Sequence, residues 1–269
     1  MADTLPPDLA RALELARPRL GRLGSRVLFF RSTGSTNDVA LNLAALGDHE
    51  GAVIVADQQT AGRGRRGHAW FSPAQSGLYA SVVVSPGRAR TEPARAIALL
   101  TLATGVALAE GIEAFSGLRP TLKWPNDVFI ARRKVAGILA EASGSRPVGE
   151  AVVVGYGINV RPTMYPPELG DRATSLEAEL GRRVDRHQMF VETLAALGRR
   201  YQDLLDGRFG AILDAWRDRA PSAIGAAVAW PTTAGEQSGI TAGIDADGAL
   251  LVQVGGRTER IIAGELTWR

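Results

Sequence analysis

Gly62-Arg63-Gly64-Arg65-Arg66-Gly67 places three guanidinium groups in a glycine-rich loop behind the strand-like run Ala52-Val53-Ile54-Val55-Ala56. Glycine permits close backbone approach and positive φ, so main-chain N–H groups can converge, and each arginine fork can bind a pair of carboxylate or phosphate oxygens. The chemistry such a loop offers is anion binding. Its spacing also matches the dinucleotide fingerprint G-x-G-x-x-G, which needs a helix opening from the loop and an acidic residue roughly twenty positions on. Neither follows. The loop runs into His68-Ala69-Trp70-Phe71-Ser72-Pro73, and the acidic position falls among Val84-Ser85-Pro86-Gly87. The lysine followed by Ser or Thr that closes a P-loop is missing as well. The hexamer reads as a flexible clamp between two strands.

Four further segments put polar groups at strand ends, where sites on layered α/β sheets assemble. Ser35-Thr36-Asn37 can present hydroxyls, an amide and main-chain N–H groups at a helix start, or can simply cap that helix. In Lys123-Trp124-Pro125-Asn126-Asp127 a tight turn accounts for Pro, Asn and Asp but not for Lys123 and Trp124. Lys134 begins the apolar run that ends at Glu141, so its ammonium either faces a phosphate at the strand mouth or is solvated. Asn159 closes Gly155-Tyr156-Gly157-Ile158-Asn159, whose glycines either let a flat ligand lie on the backbone or mark a bulge and turn.

The chain that must position these groups has 269 residues, 45% of them hydrophobic, enough for one large domain and a small appendage. It has no cysteine, which excludes disulfides, thiolate catalysis and cysteine-based zinc sites and fits a reducing compartment. His49, His68 and His187 do not fall at metal-ligand spacing. No basic segment followed by an apolar run opens the chain, and the uncharged stretch 96–109 suits a buried helix better than a membrane span. A soluble, cytoplasmic protein is expected. A net charge of +3 gives little support for general nucleic-acid affinity.

Periodicity predicts one helix or two over residues 5–23, interrupted by Pro18, and a strand over 27–30. A helix from about Ser35 to Gly47 follows, with Val39, Leu43 and Leu46 as its apolar positions. Strands are predicted at 52–56, 78–84, 123–124, 128–130, 134–142 and 151–160, with a buried helix over 92–115. Helices over 185–206 and 209–219 precede short β runs from 226 to 266, including the hairpin signal Asp247-Gly248, which read as a small β-barrel. The fold class is a layered α/β or α+β domain.

A Gln-Thr-Ala-Gly-Arg-Gly-Arg-Arg-Gly loop, a Lys-Trp-Pro-Asn-Asp turn, a Lys-x-x-Gly-Ile-Leu-x-Glu strand and a Gly-x-Gly-Ile-Asn-Val strand occur in this order and at close spacing. The combination resembles biotin protein ligases over roughly residues 27–266. The resemblance implies an α+β fold like that of class II aminoacyl-tRNA synthetases, a central mixed sheet flanked by helices, with an SH3-like C-terminal β-barrel. The expected divisions are an N-terminal helical extension (1–25), a catalytic domain (26–221) and the barrel (222–269). It further implies ATP-dependent activation of biotin to biotinyl-5′-AMP, with Mg²⁺, and release of pyrophosphate. Biotin then passes to one lysine of a biotin carboxyl carrier domain of a biotin-dependent carboxylase. The lack of cysteine and of a G-x-S-x-G elbow agrees with chemistry that has no covalent enzyme intermediate.

Carried over by motif, the catalytic roles fall to Lys134, Arg65 and Asp127, with Asp127 also the expected Mg²⁺ ligand. Biotin contacts fall to Ser35, Thr36, Asn37, Gln59, Arg63, Gly64, Arg65 and Lys134, and nucleotide contacts to Arg63, Arg66, Trp70, Lys123, Asn126 and Asn159. Barely twenty-five residues precede the first core strand. That is too few for the DNA-binding winged helix some members carry, so a ligase without operator binding is expected, and homodimer formation stays open. Residues 161–180, where the family has a second mobile loop, lack a lysine. A lipoate or octanoate transferase, similar in core fold and acceptor type, is the nearest alternative. A nucleic-acid-binding module built on Arg63, Arg65 and Arg66 is the other.

Overall fold

Pro18 decides how the N-terminal leucine-rich stretch folds. In the computed structural model, which describes residues 2–47, 49–143, 151–232, 235–264 and 266–268, helix α1 (Pro7–Ala16) gives way to a 3-10 turn, Arg17–Arg19. A proline has no N–H with which to extend the helical ladder. Leu9 and Leu13 of α1 are buried, which seats the helix on the core.

Seven strands form the main sheet: β1 (Arg26–Phe30), β2 (Ala52–Ala56), β3 (Gly77–Val84), β4 (Thr121–Lys123), β5 (Asp127–Ile130), β6 (Arg133–Ala142) and β7 (Val152–Asn159). Their spatial order is β1-β2-β3-β7-β6-β5-β4. β1 and β2 run parallel across helix α2 (Thr36–Ala45), and the remaining pairs are antiparallel, so the sheet is mixed as expected. The other helices are α3 (Pro93–Ser116), α4 (Leu176–Leu180), α5 (Arg186–Leu205) and α6 (Phe209–Arg217).

Alternation along the strands sends successive side chains to opposite faces of the sheet, and the two faces have different neighbours. Leu78, Ala80, Val82 and Val84 of β3, with Val152, Val154, Tyr156 and Ile158 of β7, join Leu99, Leu108 and Ile112 of α3 and Leu194 and Leu197 of α5 in one large core. Each such fully buried aliphatic side chain contributes about 2 kcal/mol. Gly111 lets α5 come close to α3, since a Cβ there would lie 2.7 Å from Thr193 Cα. By length and composition α3 could cross a membrane, but 72% of its most apolar window is buried, in keeping with the buried helix read from the sequence.

On the opposite face, Ile54, Val83 and Val153 pack beneath Ala40, Leu43 and Ala44 of α2. Leu46, predicted to share that apolar stripe, is instead 81% exposed, because the helix ends at Ala45 and the chain turns away before reaching it. Under the first residues of α2 and past its start the same face continues as Ser81, Gly155 and Gly157.

The C-terminal strands β8 (Ile224–Thr232), β9 (Gly235–Ile244), β10 (Leu250–Val254), β11 (Arg257–Ile261) and β12 (Thr267–Trp268) form a second, antiparallel sheet in the order β11-β10-β9-β8-β12. Among the described residues no pairing joins the edge strands β11 and β12, so the expected barrel is seen as a five-stranded sheet. Gly248, at φ +80, turns the chain between β9 and β10, as the Asp-Gly signal predicts. That turn docks on the main body: Trp124 Nε1 donates to Gly248 O at 3.0 Å, and Leu99 and Leu102 pack where a Cβ of residue 248 would stand.

Candidate functional site

The register of β3, β7 and β6 sets Ser81 beside Gly155, Gly155 beside Leu139, Tyr79 beside Gly157, and Gly157 beside Gly137. Three small residues thus carve a trough into one face of the sheet. Trp70 lies in it: an added Cβ at Gly157 would fall 2.1 Å from Trp70 Nε1, and one at Gly137 2.9 Å from its ring. The flat group on these glycines is therefore a side chain of the protein itself. Its indole N–H is buried and makes no hydrogen bond among the described residues.

Lys134, at the start of β6, extends its ammonium over the Trp70 ring, 5.3 Å from the centroid, and sits 2.7 Å from Asp127 Oδ1. That ion pair holds the buried Asp127 Oδ1. Asp127 follows the Trp124-Pro125 cis peptide, and its neighbour Asn126 braces the turn against β6, Nδ2 donating to Ile138 O at 2.8 Å and the main-chain carbonyl accepting from Ile138 N–H. Arg65 reaches the same turn from the arginine loop, Nη1 lying 3.4 Å from Asn126 Oδ1. Lysine, carboxylate, amide, arginine and indole thus meet at one end of the trough.

The second cluster surrounds the start of α2. Ser35 occupies the N-cap position but its side chain makes no capping bond, so the plain capping role does not account for it. Thr36 donates N–H (2.8 Å) and O–H (3.0 Å) to Gln59 Oε1, and Gln59 Nε2 donates to Ser72 Oγ at 2.9 Å. Ser81 Oγ lies 2.6 Å from Asn37 Oδ1 and 2.8 Å from Thr36 Oγ1. Asn37 Nδ2 donates to Glu141 Oε2 at 2.7 Å. Gly155 is what admits Asn37 to the sheet, since a Cβ there would meet Asn37 Oδ1 at 1.9 Å.

The loop itself is a closed turn. Gly64 N–H donates to His68 O at 2.7 Å and Trp70 N–H to Gly62 O at 2.9 Å, so these bonds occupy main-chain donors expected to converge on an anion. Positive φ falls on Arg66 (+55) and Gly67 (+79). Gly62 serves close approach instead, a Cβ there standing 2.5 Å from Trp70 O. Arg63 grips two carboxylates: Nη1 and Nη2 donate to Glu141 at 3.0 and 2.8 Å, and Nη2 lies 2.7 Å from Asp38 Oδ1.

Three predicted nucleotide contacts stand apart from both clusters. Arg66 is exposed. Lys123 lies opposite Asp127 in the β4–β5 register, but its ammonium is packed between the rings of Phe129 (5.3 Å) and Trp268 (5.1 Å). Burial between those rings lowers its pKa below the ordinary 10.5; Asp127 opposes the shift, while Arg172 and Lys134 add to it. Asn159 donates Nδ2 to Thr174 O at 3.0 Å, where Tyr165 also donates, and Thr174 N–H donates to Lys134 O. Asn159 and Tyr165 thereby anchor the irregular segment 161–175 beside β6. Burial, chiefly, pushes the Tyr165 hydroxyl up to about 12.

Ser81 and Asp38 belong to these clusters and were not singled out from sequence, whereas Glu141 was legible there as the end of the β6 motif but without a role. Ser81 carried a signal as the polar residue in an otherwise apolar strand. A separate cleft of about 840 Å³ opens beside Arg65, bounded by Trp124, Pro125, Leu139, Asp247 and Arg260, between the main sheet and the C-terminal one. No group of three or more His, Cys, Asp or Glu side chains gathers as a metal cluster among the described residues.

Residues 29–159 match the model of the Biotin/lipoate A/B protein ligase family. The chain is 39% identical to the biotin–[acetyl-CoA-carboxylase] ligase of Paracoccus denitrificans over 82% of its own length and 91% of that protein. It is 38% identical to the protein of the same name from Mycobacterium tuberculosis, covering 87% and 85% of the two chains. Against the bifunctional ligase/repressor BirA of Bacillus subtilis the identity is 33%, over 91% of this chain and 74% of that protein. The structure superimposes on the Aquifex aeolicus biotin protein ligase in complex with biotin and ATP with a TM-score of 0.75 at 27% identity, covering 91% of this chain and 99% of that one. With its sheet, its glycine-floored trough and these likenesses taken together, the chain belongs to the biotin protein ligase family.

Proposed function

We propose that this protein activates biotin with ATP to biotinyl-5′-AMP and transfers biotin to a lysine of a biotin carboxyl carrier domain, with residues 26–221 as the catalytic unit and 222–269 appended to it. The observation that carries the reading is Lys134, held by Asp127 at the mouth of the trough floored by Gly137, Gly155 and Gly157. Two anions, a carboxylate and an α-phosphate, must meet for the reaction to start, and a fixed ammonium at their meeting point lowers the repulsion between them.

The bicyclic ring of biotin fits beside Ser35, Thr36, Asn37 and Gln59, a nest of donors and acceptors able to match a urea. Its carboxylate then lies toward Lys134 and Arg65. One carboxylate oxygen attacks the α-phosphorus as the bond to the β-phosphate oxygen breaks, and pyrophosphate leaves. The acceptor lysine, as the free amine, attacks the acyl carbon; the acyl–oxygen bond to AMP breaks, and the amine sheds its proton to solvent. Asn126 would face the nucleotide and Trp70 would border both substrates, while Arg66, Lys123 and Asn159, which stand outside both clusters, would join them only by giving up their present positions. Asp127 would supply a carboxylate to Mg²⁺, which takes one or two carboxylates and is otherwise held by phosphates and water, with Lys134 beside the same group. Bound there, the ion would neutralise charge on the phosphates. Arg63 and Gly64 close the site by fixing the loop.

Pyrophosphate release measured with biotin and with lipoate as alternative substrates tests the assignment. Biotin should support release, and Lys134→Ala should reduce it about 100-fold or more, the usual cost of removing a charge-stabilising group. Release with lipoate alone, or no response to Lys134→Ala, would overturn the reading.

A further inference from the structure

Glu141 lies on β6 and touches two elements far apart in sequence. Both oxygens of its carboxylate are engaged by Arg63 of the loop, at 3.0 and 2.8 Å, and Oε2 also accepts from Asn37 Nδ2 at 2.7 Å. Asp38, the next residue of α2, adds a second carboxylate 2.7 Å from Arg63 Nη2. An ionised carboxylate only accepts hydrogen bonds. The side of Asn37 that faces Glu141 must therefore be its NH₂, and Oδ1 is left to face Ser81, 2.6 Å away.

We propose that Glu141 is a positioning residue for the substrate ring: it fixes the orientation of the Asn37 amide and, through Arg63, holds the arginine loop over the same pocket. The inference rests on the biotin reading for the identity of the ring. The physical link does not, since it joins only residues of this chain. The bidentate fork between Arg63 and Glu141 is the strong, directional form of ion pair. One carboxylate thus couples loop closure to amide orientation, so a loop that has lifted leaves Glu141 without the arginine fork that fixes it against Asn37. Arg63 serves as the anchor of the loop, and Arg65 is left to reach inward to Asn126.

The test compares the native chain with Glu141→Gln, Arg63→Met and the double variant. Glutamine keeps an oxygen for Asn37 but loses the charge that holds Arg63. In ligand-free protein, tryptic cleavage after Arg65 and Arg66 should quicken about 10-fold in each single variant, the equivalent of 1.4 kcal/mol in the closed-to-open equilibrium, and no further in the double variant. The KM for biotin should rise by a similar factor while kcat falls much less. Glu141→Asp, which keeps the charge on a shorter stem, should recover part of the protection. Unchanged cleavage in both single variants, or effects that multiply in the double variant, would overturn the proposal. Cleavage that responds as expected in a protein that never consumes biotin would leave the positioning role standing and overturn the substrate instead.

Discussion

Gly155 and Gly157 sit two apart on β7, and each is occupied above by a different side chain: Asn37 over the first and Trp70 over the second. Neither glycine has a positive φ, so what each supplies is space. Alanine at 157 would put a methyl 2.1 Å from Trp70 Nε1 and 2.4 Å from Cε2, closer than any contact the indole can tolerate in place. We expect Gly157→Ala to expel the indole, shift its fluorescence and weaken binding of biotin and ATP about 10-fold or more, at a stability cost of about 1–3 kcal/mol for the displaced packing. Calorimetric titration with each substrate, beside emission spectra, checks this; native affinity with an unshifted spectrum would show that the ring is not held by the trough.

Much of what lies along each element could be read from the chain, and much of what joins elements could not. The strands, the long buried helix and the Asp-Gly turn follow from local pattern, and Pro18 announces its own break. Arg63 illustrates the limit: its type and setting in a glycine loop signal an anion, and the anions it meets are Glu141 and Asp38, contributed by β6 and α2. Those partners are far off in sequence and ordinary in type. Lys123 likewise reads as a phosphate ligand until Trp268, 145 positions later, is seen against it. The same holds where the N-terminal turn meets α5. Arg19 binds Glu192 through two hydrogen bonds of 3.0 and 2.7 Å, and that bond, together with the positive charge, holds the Glu192 carboxyl below its ordinary 4.5 despite partial burial. Because the folded pKa is depressed, the pair stabilises the fold above pH 4.5 and the contribution disappears as pH falls through the lowered value. Arg19 is half exposed, so screening limits the effect to about 0.5 kcal/mol. Urea unfolding of native protein and Glu192→Gln should differ by that amount at pH 7 and converge at pH 2; an equal gap at both would remove the ion pair as its cause.

At the scale of the whole molecule, the C-terminal sheet is joined to the site end of the main sheet at two places. Trp124, next to the Asn126-Asp127 turn, donates to Gly248 O, and Trp268 of β12 packs over Lys123. A cation above an indole gains about 0.5–1 kcal/mol when exposed and more when desolvated. If Lys123 serves the nucleotide, Trp268→Ala should raise the KM for ATP about 3-fold with kcat preserved, as expected for a loss of roughly 0.7 kcal/mol of cation–π energy. Steady-state kinetics decide it, and an unchanged KM would reduce the indole to packing. The division of the main sheet reaches further. On β7, Val152, Val154, Tyr156 and Ile158 answer to α3 and α5, whereas Gly155, Gly157 and Asn159 answer to the trough and its border. From Val154 onward, past Val153 and its packing under α2, durability and chemistry are therefore written on alternate letters of one strand. A designer seeking a hardier protein could respell the even-numbered letters by volume, and the odd-numbered ones would go on saying what they say now.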